Sequence, residues 1–174
     1  MTEEVAFDVI GMRGDIEFRR YHRHVQASVT VEGTFEQAPN SGFVPLVRYI
    51  SGENREGTKL AMTAPVMHIA ESDSAHTISF VLPNETTAVP RPSRSDLTTH
   101  VVDNLVVAAR RFAGGWREER ARRQESDLRV ELERLGVRVT GPAMFARYDP
   151  PWKPGFLRRN DVLIPVDPAT IPTP

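Results

Sequence analysis

Five histidines, His22, His24, His68, His76 and His100, are the side chains of this 174-residue sequence best suited to hold a metal or move a proton near neutral pH. None stands in a His-Glu-x-x-His array. His22 and His24 are two apart, a spacing that turns both to one side of a strand. No carboxylate pair accompanies them, and the chain has no cysteine, which removes disulfides, thiol catalysis and thiolate metal sites together. A zinc site is therefore not expected. His68 follows Met62-Thr63-Ala64-Pro65-Val66-Met67 in a β-rich run, where a histidine is more often a satisfied interior group than a ligand. Neither a Gly-x-Ser-x-Gly elbow nor a Walker-type phosphate loop is present. The unusual segment is residues 146–160, which holds three prolines, Trp152, Phe156 and Lys153 in what must be a stiff loop. Apolar walls with placed cations suit a flat, anionic, largely hydrophobic ligand. The alternative is that Trp152 and Phe156 cap the core while Lys153 reaches past them to water.

Charge narrows the partners. The formal charge is −1 and the pI about 6.5, which argues against a general nucleic-acid coat or a polybasic membrane binder. Arginine outnumbers lysine 20 to 2, which reads as genome composition. The densest charge, Arg117 to Arg134, mixes both signs at helical spacing, the pattern of a solvated face laced by ion pairs, so no nucleic acid is expected as a partner. No apolar run approaches the roughly 20 residues of a membrane span. The acidic start, Met1-Thr2-Glu3-Glu4, lacks a signal core, so the cytoplasm is the expected location. Nothing in the sequence sets the oligomeric state.

The elements that must position these groups follow from periodicity. Residues 5–10, 16–21 and 24–32 read as strands, the last with Val25, Ala27, Val29 and Val31 on one face. Phe43, Leu46, Val47 and Ile50 then fall on one helical face. Ser41 is the expected N-cap, and Pro45, tolerable only in a first turn, places the helix start near residue 43. Residues 62–70 and 77–82 are β-rich. Residues 83–97, with three prolines, form the expected linker between two halves of similar grammar. Residues 99–102 and 105–112 are strands around a turn at Asp103-Asn104. Residues 116–135 are a helix with a stripe of Ala121, Leu128, Leu132 and Leu135. Residues 143–148 and 162–166 are extended, and residues 167–174 form a loose proline-rich tail. The order implies an α+β fold made of a duplicated unit. At this length a chain buries about 70% of its unfolded surface, enough for one core.

Several motifs resemble the SOUL haem-binding protein family. They are Tyr49-Ile50, Asn54-Arg55-Glu56-Gly57, Lys59-Leu60-Ala61-Met62-Thr63-Ala64-Pro65-Val66, Ile78-Ser79-Phe80-Val81-Leu82-Pro83, Tyr148-Asp149-Pro150-Pro151-Trp152-Lys153-Pro154 and Arg158-Arg159-Asn160-Asp161-Val162. They occur in the family's order and cover nearly the whole chain. The resemblance implies a distorted β-barrel of two pseudo-symmetric α+β halves flanked by two helices, with one SOUL-like domain over residues 1–166. It implies haem or another tetrapyrrole as the bound ligand, with Phe43, Val44 and Val47 as an apolar floor. Arg48 and Lys153, the latter beside Trp152, would be the partners of the porphyrin propionates. Where some members carry an axial histidine this chain has Arg20, whose guanidinium does not ligate iron. Asn40 stands where others have a further cation. His22, His24 and His68 remain as ligand candidates. The expected function is tetrapyrrole binding as carrier, buffer or sensor, and a binder is favoured over an enzyme. The alternatives are a tetrapyrrole-processing enzyme that removes the metal, with Glu17 or Glu53 as acid-base groups, and a small-molecule effector-binding or interaction module.

Overall fold

A computed structural model describes residues 2–174. In chain order the elements are β1 (Glu3–Glu4), β2 (Phe7–Arg13), β3 (Ile16–Tyr21), β4 (His24–Glu32), α1 (Ala38–Ile50), β5 (Thr63–Ala64), β6 (Val66–Ala70), β7 (Ala75–Val81), β8 (Leu97–Val102), β9 (Val106–Ala113), α2 (Glu118–Arg134), β10 (Met144–Arg147) and β11 (Arg159–Pro165). Short 3-10 turns cover Gly155–Leu157 and Pro168–Thr170. Two compact units divide the chain: residues 2–5 with 23–103, and residues 6–22 with 104–174.

In the first unit β8, β4, β7 and β6 pair antiparallel in that order, and β1 runs parallel to β5. Helix α1 packs on β4 and β7. Its core gathers Ala27, Val29, Leu46, Tyr49, Ile50, Ile78, Phe80, Leu82 and Leu97. In the second unit β2, β3, β9, β11 and β10 pair antiparallel in that order, and α2 packs on β11 and β9. The sequence β4, α1, β6, β7 therefore has its counterpart in β9, α2, β10, β11. The strand beside the central one arrives later in the chain in the first unit (β8) and earlier in the second (β3). The α+β class and the duplication are as expected from the sequence.

Three local expectations are corrected. Residues 83–97 do not link the halves. They belong wholly to the first unit, where the Tyr49 hydroxyl donates to Pro90 O at 2.6 Å and Arg55 N donates to Arg91 O at 2.9 Å. The division falls instead at Asp103/Asn104, the turn where Asn104 adopts φ 54°. The C-terminal residues are tied down. Asp167 caps its own 3-10 turn, Arg138 pairs with Asp167, and Arg13 donates to Pro172 O at 2.9 Å.

Helix α1 starts at Ala38, not near residue 43, and Pro45 lies within it. A reciprocal capping box holds the turn that leads into it: Gln37 N donates to Thr34 Oγ1, and Thr34 N to Gln37 Oε1, each at 3.3 Å. The helix is rotated relative to its simple apolar stripe, with Ala38, Gly42, Pro45, Leu46, Tyr49 and Ile50 facing inward. Gly42 explains the rotation. A Cβ there would lie 2.6 Å from Ile78, so only glycine lets α1 approach β7 this closely.

Candidate functional site

The rotation of α1 leaves large apolar side chains outside. Phe43 is 40% and Val44 53% exposed, and Val47 is half-buried. Phe43 still rests its ring edge on Phe80 at a centroid distance of 5.5 Å, which fixes its direction. Arg48 is exposed on the last turn of the same helix. Among the described residues it has no carboxylate partner. An apolar strip ending in an uncommitted guanidinium can hold a flat hydrophobic molecule with an acidic edge. The periodicity placed Phe43 in the core, whereas the resemblance placed it in a ligand floor. The observed exposure takes Phe43 out of the core. Asn40 and Arg20 are both exposed.

Trp152 and Lys153 lie in the second unit, in the loop between β10 and β11. Trp152 is 84% exposed, so it does not cap the core. The Lys153 ammonium lies 2.9 Å from Asp149 Oδ1 and is thus already balanced. Burial would raise the Asp149 pKa, but the Arg159 N–H, Lys153 and the Arg159 charge outweigh it and hold the carboxylate below its usual range.

His22 is exposed and its Nε2 is 3.1 Å from Asp8 Oδ2. His24 is buried with Nε2 3.2 Å from the Gln26 amide nitrogen. His68 is fully buried, its Nε2 3.0 Å from His76 Nδ1, while His76 Nε2 lies 3.1 Å from Gly33 O and Phe35 stacks on His68 at 4.4 Å. Each candidate ligand thus has one ring nitrogen engaged. No group of three or more His, Cys, Asp or Glu side chains among the described residues is placed to hold a metal ion.

A buried ionic network in the second unit escaped the sequence reading. Asp161 on β11 is fully buried and accepts from Arg19 Nη1 at 2.7 Å and from Arg111 Nε at 2.9 Å. Arg19, only 3% exposed, also donates to Glu17 at 2.7 Å. Burial pushes the Asp161 pKa up, yet the two arginines prevail and keep it below the ordinary range. Burial likewise raises the Tyr21 and Tyr148 hydroxyls beside it. A carboxylate saturated by two guanidiniums is a cross-strand brace, not a general base. The sequence signal was the alternation of β3, which set Glu17, Arg19 and Tyr21 on one face, together with the acid in Arg158-Arg159-Asn160-Asp161. Nearby, Arg147 and Arg158 lie 4.5 and 5.3 Å from the Trp116 ring, whose Nε1 donates to Asn160 Oδ1 at 3.1 Å.

Among solved structures the chain is similar to the C-terminal domain of EcmrR (TM-score 0.66, 12% identity, 90% of this chain and 99% of that one). It is also similar to a hydrolase from Listeria innocua (TM-score 0.60, 11% identity, 91% and 94%). At such identities the likeness is one of fold alone. By sequence it is 34% identical over 115 residues to heme-binding protein 2 of Mus musculus, covering 62% of this chain and 56% of the mouse protein. The chain thus spans little more than half the length of that relative. It is 27% identical over 163 residues to heme-binding protein 1 of Bos taurus (87% and 84%), and 30% identical over 155 residues to heme-binding protein 1 of Xenopus tropicalis (84% and 80%). The family model described as SOUL heme-binding protein matches residues 2–165. The chain therefore belongs to the SOUL heme-binding protein family.

Proposed function

We propose that this protein binds haem or a related tetrapyrrole on the outward face of α1. The observation that carries the reading is the pairing of exposed Phe43 and Val44 with an Arg48 that has no carboxylate partner among the described residues. Phe43, Val44 and Val47 would take the macrocycle by apolar contact, and Arg48 a propionate by a charge-assisted hydrogen bond. Bound haem would supply iron, but α1 carries no histidine, and one ring nitrogen of His22, His24 and His68 is already engaged. Retention by contact and charge rather than by a strong axial ligand suits exchange, and so carriage or buffering. Lys153 belongs to the other unit and is already balanced by Asp149.

Titration of the protein with hemin, followed by visible absorbance, tests this. Arg48→Glu should weaken hemin by about tenfold or more and a porphyrin diester much less, since the diester has no carboxylates. Affinity for hemin within about twofold of wild type would remove α1 as the site.

A further inference from the structure

The loop joining β10 to β11 is braced from within. Lys153 N donates to Pro150 O at 3.1 Å, Leu157 N to Pro154 O at 2.9 Å and Arg158 N to Gly155 O at 3.1 Å. Arg158 Nε donates to Lys153 O at 2.7 Å, its Nη2 donates to Pro151 O, and Arg159 N donates to Asp149 Oδ2 at 2.6 Å. Pro150, Pro151 and Pro154 have no N–H to satisfy. On this stiff frame Trp152 is 84%, Phe156 75% and Leu157 53% exposed. Residues 148–159 carry Lys153, Arg158 and Arg159 against the single acid Asp149. We propose that this loop is an interfacial anchor that docks the protein on an anionic lipid surface.

Three features select lipid as the occupant. A segment entering the headgroup–acyl boundary loses water, so its backbone polar groups need partners within the segment, and here the carbonyls of Pro150, Pro151, Lys153, Pro154 and Gly155 have them. Aromatic rings beside cations are the side chains that settle at that boundary, rings inward and charges at the headgroups. The excess of cations complements an anionic leaflet, each unbalanced one strengthening attachment by about fivefold. Because the loop is already ordered, little conformational entropy is lost on docking. The proposal does not rest on the haem reading.

The test is co-sedimentation of the full, haem-free chain with vesicles of phosphatidylglycerol and phosphatidylcholine, and with vesicles of phosphatidylcholine alone. Binding to the anionic vesicles is expected, weakening as salt is raised. The double variant Trp152→Ala, Phe156→Ala should bind at least about tenfold more weakly, with unchanged thermal unfolding because both side chains are exposed. Tryptophan emission should shift to the blue on vesicles for the wild type and not for Trp152→Phe, which leaves Trp116 as the only fluorophore of its kind. Equal binding by wild type and double variant would overturn the proposal. So would the absence of binding combined with a concentration-dependent dimer that the double variant abolishes, which would make the loop a contact between copies of this chain.

Discussion

Helices α1 and α2 hold equivalent places in the strand order of their own units, yet they treat solvent differently. The outward face of α2 is laced by Glu118–Arg122, Glu119–Arg123, Glu125–Arg129 and Glu131–Arg134 pairs, and its buried stripe is Ala121, Leu128 and Leu132. Among the described residues the outward face of α1 has no such ladder, and it exposes Phe43 and Val44 before Arg48. The duplicated architecture thus needs only a narrow inward stripe from its helix, and what the other face carries is free to serve something else. In α2 it carries ion pairs. In α1 Phe43 and Val44 lie outside the buried face of the helix, which is why the ligand proposal rests there.

The largest effect expected tests whether the second unit depends on its strands more than on its helix. Asp161→Ala leaves Arg19 buried without its main acceptor and should cost about 3–5 kcal/mol in urea unfolding. The same carboxylate gives a pH signature. Its folded pKa lies below the unfolded value of about 3.9, so its stabilisation is complete above that pH and fades as pH falls through the lowered folded value. Wild type should lose stability in that acid range, and Asp161→Ala should lose less. Next, Leu132→Ala on the inner stripe of α2 should cost about 2–5 kcal/mol. A loss under about 0.5 kcal/mol would mean that the stripe does not hold the helix. Smallest in stability, Val44→Ser on α1 should stay within about 0.5 kcal/mol of wild type while hemin affinity falls. A large stability loss there would erase the contrast between the helices.

Much of this was legible in the sequence. Period-two alternation gave β3 and β4 to the residue, and the α2 stripe emerged because its neighbours are almost all charged. The α1 face was misread by periodicity because it is apolar nearly all round. What decides its rotation is the absence of a side chain at Gly42 against Ile78, a tertiary fact. The helix begins upstream of Pro45 because the Thr-x-x-Gln box at Thr34 and Gln37 turns the chain into it and Pro45 is accommodated inside the helix. The proline-rich stretch at 83–97 looked like a linker because prolines mark irregular chain, but irregular chain can still pack, as the Tyr49–Pro90 contact does. The Asp161 network was unreadable as a network, since Arg19, Arg111 and Asp161 are brought together only by the pairing of β3, β9 and β11.

The imidazole pair in the first unit has a direction. Gly33 O can only accept, so a neutral His76 that meets it must carry its proton on Nε2, which leaves Nδ1 bare. His68 can then reach that nitrogen only by donating from its own Nε2. Both tautomers are thus dictated from the carbonyl end, like dominoes leaning one way. The arrangement reserves the Nε2 lone pair of neither ring for a metal. It turns two residues that look like ligands in the sequence into a strut between the strands β6 and β7 and the turn that opens toward α1.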